Sequence, residues 1–283
     1  MAFKPRVAIV GPGRLGSALA LELKRAGYRI SEIVSGKSLA SRRKARALAR
    51  QVNARESAKG ARLDAEVVWF CVPDREIARA ARQLGAVVEW KGKIALHSSG
   101  ALASDELRVL RRRGAAVASV HPLMTFVRGS IPSLRGEPFA LEGDAAALRA
   151  VGRIVRDLGG EAFSIPKKKK MGYHAWGAFA SPLLIALLVT GEKVARAAGL
   201  SSAEARRKML PILRQTLANY AKLGPAGAFS GPIVRGDADI VRQHLKELRK
   251  ISAAREVYVA LARAALRHLP VGNRKELEKL LRK

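Results

Sequence analysis

The 283-residue sequence holds one cysteine, few aromatic residues and few acids. Cys71 alone cannot form an internal disulfide. That sets aside the small secreted folds held by such bridges and fits a reducing, cytoplasmic setting. Its place in the apolar run Val67-Val68-Trp69-Phe70-Cys71-Val72 makes a buried, inert thiol the expectation. Aromatic residues are 5% of the chain, and Asp plus Glu number 23 against 53 Lys plus Arg, a net charge of +30. A nucleic-acid arm would gather that charge into one segment. Here it is spread over both halves, without an aromatic stacking motif or a helix-turn-helix signature, so no specific nucleic-acid binding is expected. Nonspecific attraction to polyanions at low salt is expected. No metal site is expected, because no His, Cys, Asp or Glu cluster has metal-ligand spacing, and no P-loop or G-x-S-x-G occurs. Charge is absent from Ala175 to Gly191, but this stretch falls just short of a membrane span and contains Ser181, Pro182 and Thr190. A helix apolar on all sides is expected at a domain interface or in a homodimer, not in a membrane. No leader is expected, since Met1-Ala2-Phe3-Lys4 runs straight into a strand.

What the sequence does contain is concentrated in its first forty residues. Val7 to Val10 is a short apolar run that leads into Gly11-Pro12-Gly13-Arg14-Leu15-Gly16 and then a helix-forming stretch. In this strand–turn–helix context the glycines read as a dinucleotide site. Gly11 allows the tight turn, Gly13 lets backbone N–H groups approach a pyrophosphate, and Gly16 lets the helix pack on the strand. The alternative is a purely structural glycine turn. The second strand, Tyr28 to Val34, ends at Ser35-Gly36-Lys37-Ser38, with Arg42-Arg43-Lys44 following. An NAD site wants an acid there for the ribose 2′-hydroxyl; hydroxyls and cations at Ser35, Lys37, Ser38 and Arg42 suit a 2′-phosphate, hence NADP. A solvated helix start is the plainer reading of Arg42 to Lys44.

Strand and helix alternate through the first half, which predicts an α/β, doubly wound Rossmann domain over residues 1–165. Strands are expected at Val67–Val72, Lys93–His97, Ala115–Val120, Phe139–Leu141 and Ala162–Ile165. Helices are expected at Asp74–Leu84, Ser104–Arg113 with Ser104 as cap, and Ala145–Leu158. After Pro166 and the solvated linker Lys167 to Lys170, only helices are expected, forming a substrate and dimerisation domain over 166–283. Tyr173 to Ala198 reads as one long helix, with a bend at Pro182. Ser201 or Ser202 caps the next, and Gly224 to Gly236 breaks the chain before helices at Asp237–Lys250, Ala253–Leu269 and Arg274–Leu281.

In an open α/β sheet, ligands sit beyond the carboxyl ends of the strands. That selects Val72 and Pro73 for the cofactor, Ser98, Ser99 and Gly100 for cofactor or substrate, and His121 before Pro122. Asp74 can equally cap a helix, Ser98 to Gly100 can equally be a capped turn, and His121 can equally be structural. Hydride transfer to a carbonyl or imine needs a proton donor, and a His suits. His174, at the start of the long helix, is the first candidate, with a packed helix histidine as the alternative. Arg235, near Asp237, either closes the cleft or forms a local pair.

These motifs together resemble a family. The carriers are Gly11 to Gly16, Val72-Pro73-Asp74, His97 to Ala101, His121-Pro122, Tyr173-His174-Ala175 with Phe179-Ala180-Ser181, and Gly231 to Asp237. The chain resembles the bacterial Rossmann-like NADP-binding proteins whose C-terminal helical domain has no assigned function. These belong to the superfamily of 6-phosphogluconate dehydrogenase-like, pyrroline-5-carboxylate reductase-like and ketopantoate reductase-like enzymes. The resemblance implies an NADP-dependent oxidoreductase acting on a small, anionic carbonyl or imine at an interdomain cleft, with Ser99, Gly100, Ser181 and Arg235 near the substrate. In the related hydroxyacid dehydrogenases a Lys and an Asn one helical turn apart supply the proton. The face matched to them here is His174, Ala178 and Ser181 or Pro182, without the Lys and with Pro182 in place of the Asn. That absence leaves a non-catalytic NADP-binding regulator or scaffold as the alternative.

Overall fold

The computed structural model describes residues 4–58, 62–127 and 131–282. The expected absence of a leader rests partly on Met1 to Phe3, outside the described residues. The chain clusters into two compact units, Met1–Ala178 and Phe179–Lys283. The division falls beyond the expected boundary at Pro166, because the segment after that proline is anchored to the first unit through Lys170.

The first unit runs β1 (Val7–Val10), α1 (Arg14–Arg25), β2 (Ile30–Ser35), α2 (Leu39–Val52), β3 (Arg55–Ala58), β4 (Val67–Phe70), α3 (Asp74–Gly85) and β5 (Ile94–His97). A 3-10 turn (Ser104–Leu107) and the short α4 (Arg108–Arg111) follow, then β6 (Ala116–Pro122), β7 (Pro138–Gly143), α5 (Ala145–Asp157) and β8 (Glu161–Ser164). A second 3-10 turn (Lys167–Lys169) leads into α6 (Lys170–Ala180). The eight strands form one sheet in the order β3-β2-β1-β4-β5-β6-β7-β8. All neighbours are parallel except β6 and β7, which pair antiparallel.

Alternation of side chains across a strand builds two cores from the same residues' neighbours. Val7, Ile9, Val67 and Trp69 face a layer with α1, α2 and α5, where Leu19, Leu48 and Val151 are buried. Ala8, Val10, Val68 and Phe70 face the opposite layer, where α3 and α4 supply Ile77, Leu84 and Leu110. Covering on both faces explains why these strands read as continuous apolar runs rather than alternating ones. Two expectations shift here. The fourth strand stops at Phe70, which leaves Cys71 and Val72 beyond the sheet. Ser104 caps no helix. Its N–H and hydroxyl both donate to the buried Glu142 carboxylate, at 2.6 and 2.9 Å, and the turn it opens is 3-10.

The second unit is helical: α7 (Pro182–Ala197), α8 (Ser202–Ala228), α9 (Pro232–Arg235), α10 (Ala238–Leu248), α11 (Ala254–His268) and α12 (Arg274–Arg282). Its core is the apolar stripe of the last three, with Val241, Leu245, Ala262, Leu266, Leu277 and Leu281 buried. Ser201 caps α8 reciprocally with Glu204: the Glu204 N–H donates to its hydroxyl at 3.3 Å and its own N–H donates to the Glu204 carboxylate at 3.0 Å. The break expected from Gly224 is present: this residue stands outside the helical region at φ 71° and ψ 179°, and two helical pieces meet at it within the span of α8.

The single helix expected over Tyr173–Ala198 is two. Ser181 leaves the helical region at φ −130° and ψ −83°, one residue before Pro182 starts α7. The stretch Lys167–Ala197 contains 18 consecutive residues with a mean hydropathy of 1.5, long and apolar enough to cross a membrane by length and composition. No residue of α7 is buried, and in α8 only Ala205 is.

Candidate functional site

The Gly11–Gly16 turn has the geometry its sequence demands. Gly11 adopts φ +105°, and a Cβ there would stand 2.7 Å from the Cys71 carbonyl oxygen; one on Gly16 would stand 2.1 Å from the Gly11 carbonyl oxygen. Only glycine lets strand, turn and helix meet this closely. Gly13 precedes α1 without any side-chain cap, so the first N–H groups of the helix point outward unpaired and carry the positive end of its dipole. A cavity of about 440 Å³ opens beside the turn, lined by Gly11, Pro12, Gly13, Lys37, Ser38 and Val72 among others. A second, of about 360 Å³, adjoins it along Gly36, Lys37 and Gln83 and adds Ser35, Arg42 and Ala58. Ser38 also caps α2, accepting from the Ser41 N–H at 3.2 Å. Two polar atoms here are buried without a hydrogen-bond partner among the described residues: Ser35 Oγ and Gln83 Oε1. Such groups are rare in folded proteins.

Sequence reasoning missed part of this lining. Ser41, Glu76, Arg79 and Gln83 reach the cavity from α2 and α3, where the sequence reads only as exposed helix faces. Cys71 lies there too, half-buried at the cavity wall rather than inside the strand, and burial pushes its thiol up. Arg14 and Leu15 line a shallower cavity with Pro73, Asp74, Ser98 and Ser99, and Arg14 donates to the Phe126 carbonyl oxygen at 2.9 Å.

At the end of β5 the turn is held from inside. Ser98 accepts from the Trp69 indole at 2.8 Å. Ser99 donates to Asp74 at 2.8 Å and accepts from the N–H groups of Ala101 and Leu102. Its own N–H donates to His97 Nδ1 at 3.1 Å. His97 is fully buried, as expected, and that burial pushes it down to about 4. The Ser99 hydroxyl is thus committed to shaping the turn, while Ser98 keeps a hydroxyl hydrogen to give.

Beyond this turn the first unit gathers a cluster around Gly100. A Cβ on that residue would lie 2.7 Å from His174 Cδ2 and 2.9 Å from His121 Nε2, so glycine is what lets the two rings approach, edge to face at 6.5 Å between centroids. His121, expected extended at the strand end just after Val120, lies within β6, paired with Ala140 of β7. Its Nδ1 is 2.8 Å from the Tyr173 hydroxyl. Burial, reinforced by the Lys170 and His174 charges, pushes His121 down to about 4, and burial alone pushes Tyr173 up to about 12.

Lys170 changes the reading of α6. Expected in a solvated linker, it is 2% exposed, and its ammonium donates to the Ser99 carbonyl oxygen at 2.9 Å and to Ser119 Oγ at 2.6 Å. Its third N–H has no acceptor among the described residues. Burial pulls the amine down to about 8, against the opposing pull of Glu142 and Asp74. A lysine is therefore present on this helix, one turn before His174. The face assigned from the sequence began a turn too late, because four consecutive lysines read as solvent-facing. Only Lys170 of the four is buried.

In the second unit, Ser181 forms the helix break, and Arg235 makes an exposed ion pair with Asp237 at 2.9 Å, the local pairing the sequence allowed. Among the described residues no group of three His, Cys, Asp or Glu could hold a metal ion.

A mostly parallel sheet in this order, opened by a glycine turn onto an uncapped helix, defines a Rossmann-like domain. The model of that domain matches residues 2–122, and the model of a domain of unknown function, DUF2520, matches residues 137–265. The chain is thus similar to a Rossmann-like domain over its first part and to a DUF2520 domain over its second. No curated protein matches the sequence. Among solved structures, a protein of Thermotoga maritima is 27% identical, with 91% of this chain and 96% of that one covered and a TM-score of 0.71. The fold is also that of a reductive aminase from Aspergillus terreus in complex with NADPH and ethyl-5-oxohexanoate (18% identity, 98% and 99% covered, TM-score 0.66). A pyrroline-5-carboxylate reductase from Coxiella burnetii shares it too (13% identity, 98% and 99% covered, TM-score 0.60).

Proposed function

We propose that this protein is an NADP-dependent oxidoreductase acting on a small, anionic carbonyl or imine compound at the carboxyl ends of its strands. The observation that carries this reading is Lys170, a buried ammonium with one unspent N–H, fixed beneath the Ser98–Gly100 turn. NADP fits the chain's own residues. The uncapped start of α1 suits a pyrophosphate, and the second strand ends in Ser35, Lys37 and Arg42 without a carboxylate to repel a 2′-phosphate. The NADPH-bound reductive aminase shares the fold. When bound, NADPH supplies the hydride.

The chain's part is to place a proton. A carbonyl oxygen or imine nitrogen gaining a hydride needs one, and a donor works best when its pKa lies near the operating pH. Lys170, near 8, meets that condition better than His121, near 4 and neutral at physiological pH. His174, one turn on, stands beside Gly100 to orient the substrate or share the proton. The cationic setting favours an anionic substrate.

The test is to follow oxidation of bound NADPH with a panel of 2-oxo acids and cyclic imines. Turnover with at least one is the expected result. Tight NADPH binding without turnover on any would establish the non-catalytic regulator or scaffold instead, and no NADPH binding would remove both readings.

We also infer a homodimer built on the helical unit. Leu183, Ile185 and Val189 of α7, with Ile212, Leu217 and Tyr220 of α8, are each at least 47% exposed within one chain. Monomers rarely leave so apolar a surface uncovered, and a second copy related by a two-fold axis is the commonest cover. Light scattering at micromolar concentration is expected to give twice the chain mass, unchanged at low salt. A monomeric mass at every concentration would overturn the dimer.

A further inference from the structure

His121 and Tyr173 form a pair to which the proposed reaction gives no part. The phenol is held on three sides. Its ring meets His121 edge to face at 5.6 Å between centroids, Phe163 of β8 at 6.1 Å and Trp176 of its own helix at 6.0 Å. Its hydroxyl is 2.8 Å from His121 Nδ1. Both groups are neutral at physiological pH, since burial pushes the histidine down to about 4 and the tyrosine up to about 12. A phenol gives up its proton more readily than a neutral imidazole does, and an imidazole nitrogen is the better acceptor, so the hydroxyl donates to Nδ1. The ring proton then sits on Nε2. The surroundings agree. A lone pair on Nε2 would want a donor, and none among the described residues reaches it. Lys170, whose charge is felt at His121, spends two N–H groups on Ser99 and Ser119 instead. Nε2 lies beside Gly100, 2.9 Å from where a Cβ would stand. His121 is only half-buried, and Nε2 is not among the polar atoms buried without a partner. This edge of the ring is open to an arriving group.

We infer that Tyr173 is a positioning residue: it holds His121 with the proton on Nε2, so that His121 offers a neutral hydrogen-bond donor to an oxygen atom of the substrate beside Gly100. This rests on the reading of the strand ends as the substrate site and adds a specificity element to it. With the unspent N–H of Lys170, the first unit then presents two donors, which favours a carboxylate or carbonyl oxygen over a protonated amine. The roles stay separate. A neutral imidazole is too weak an acid to release its proton, so His121 binds while Lys170 gives. The sequence marks Tyr173 only as part of a motif, because the ring it orients is 52 residues away.

The experiment is long-range proton–nitrogen correlation NMR of the full-length protein with isotope-labelled histidine, at neutral pH and with NADP present. His121→Asn identifies the signals in question by their loss. Wild-type His121 is expected to carry its proton on Nε2, with the Nδ1 resonance displaced as an accepted hydrogen bond displaces it. Tyr173→Phe keeps the ring and is expected to lose that displacement. Acetate is the probe for an oxygen acceptor. It is expected to move the wild-type Nε2–H resonance saturably, while methylammonium at equal ionic strength leaves it in place. Tyr173→Phe is expected to need about threefold to tenfold more acetate, the worth of one neutral hydrogen bond. A wild-type proton on Nδ1, an Nδ1 resonance unchanged in Tyr173→Phe, or an Nε2–H resonance that ignores acetate would each overturn the inference. The wild-type readings decide the case even if the variant does not fold, and none of them needs turnover. The expected spectra without turnover on any 2-oxo acid or cyclic imine would support this inference and fail the oxidoreductase reading alone.

Discussion

Replacing Lys170 by Met is expected to lower turnover by about two to four orders of magnitude, the usual worth of a positioned acid, with NADPH affinity unchanged. Met fills the same space without a proton to give. It removes the two hydrogen bonds to Ser99 and Ser119, so thermal unfolding must be measured beside the kinetics. The pH profile separates chemistry from folding. Lys170 titrates near 8 in the folded protein. It carries its proton below that value, so turnover in the reducing direction is full below about 8 and falls as pH rises through it. Lys170→Arg keeps the charge but, protonated at any accessible pH, has no proton to give and is expected to be as slow as Lys170→Met. A wild-type profile without that fall, with His174→Ala inactive and Lys170→Met active, would return the role to His174.

Changing Lys37 and Arg42 together to Ala is expected to weaken NADPH binding by more than tenfold and to leave NADH nearly untouched. Each charged hydrogen bond to a phosphate is worth about 1.5 to 3 kcal/mol. Both side chains are exposed, so screening reduces the effect and salt reduces it further. The measurement is the ratio of the two dissociation constants at low and at physiological ionic strength. Equal losses for both nucleotides would mean that these cations steer any anion and do not read the 2′-phosphate.

The fold was legible because its signals are local and periodic. Apolar runs before the glycine turn gave β1, alternation of strand with helix gave the sheet, and the change to helices after Pro166 gave the second unit. The nucleotide end of the site was legible for the same reason, since Gly11 to Gly16 and Ser35 to Arg42 are contiguous in the chain. The chemical end was not. Lys170 and Lys169 are the same residue type side by side, and only contact with Ser99 and Ser119, distant in sequence, decides which one is buried. Gln83 is hidden likewise by a helix whose exposed and inward polar residues look alike. β3, Arg55–Ala58, escaped notice because a polar edge strand lacks the apolar signature of its neighbours.

The antiparallel pairing of β6 with β7 places His121 in the middle of a hydrogen-bonded ladder. Its backbone has no freedom to follow an arriving molecule, unlike a residue carried on a loop. One wall of the cluster around Gly100 is therefore stationary. Any adjustment on ligand arrival must come from the helix bearing Lys170, Tyr173 and His174, or from rotation of single side chains. The protein keeps a fixed anvil on the sheet and puts its adaptability on the helix facing it, so changes in substrate preference over evolution should accumulate on α6 before they touch β6.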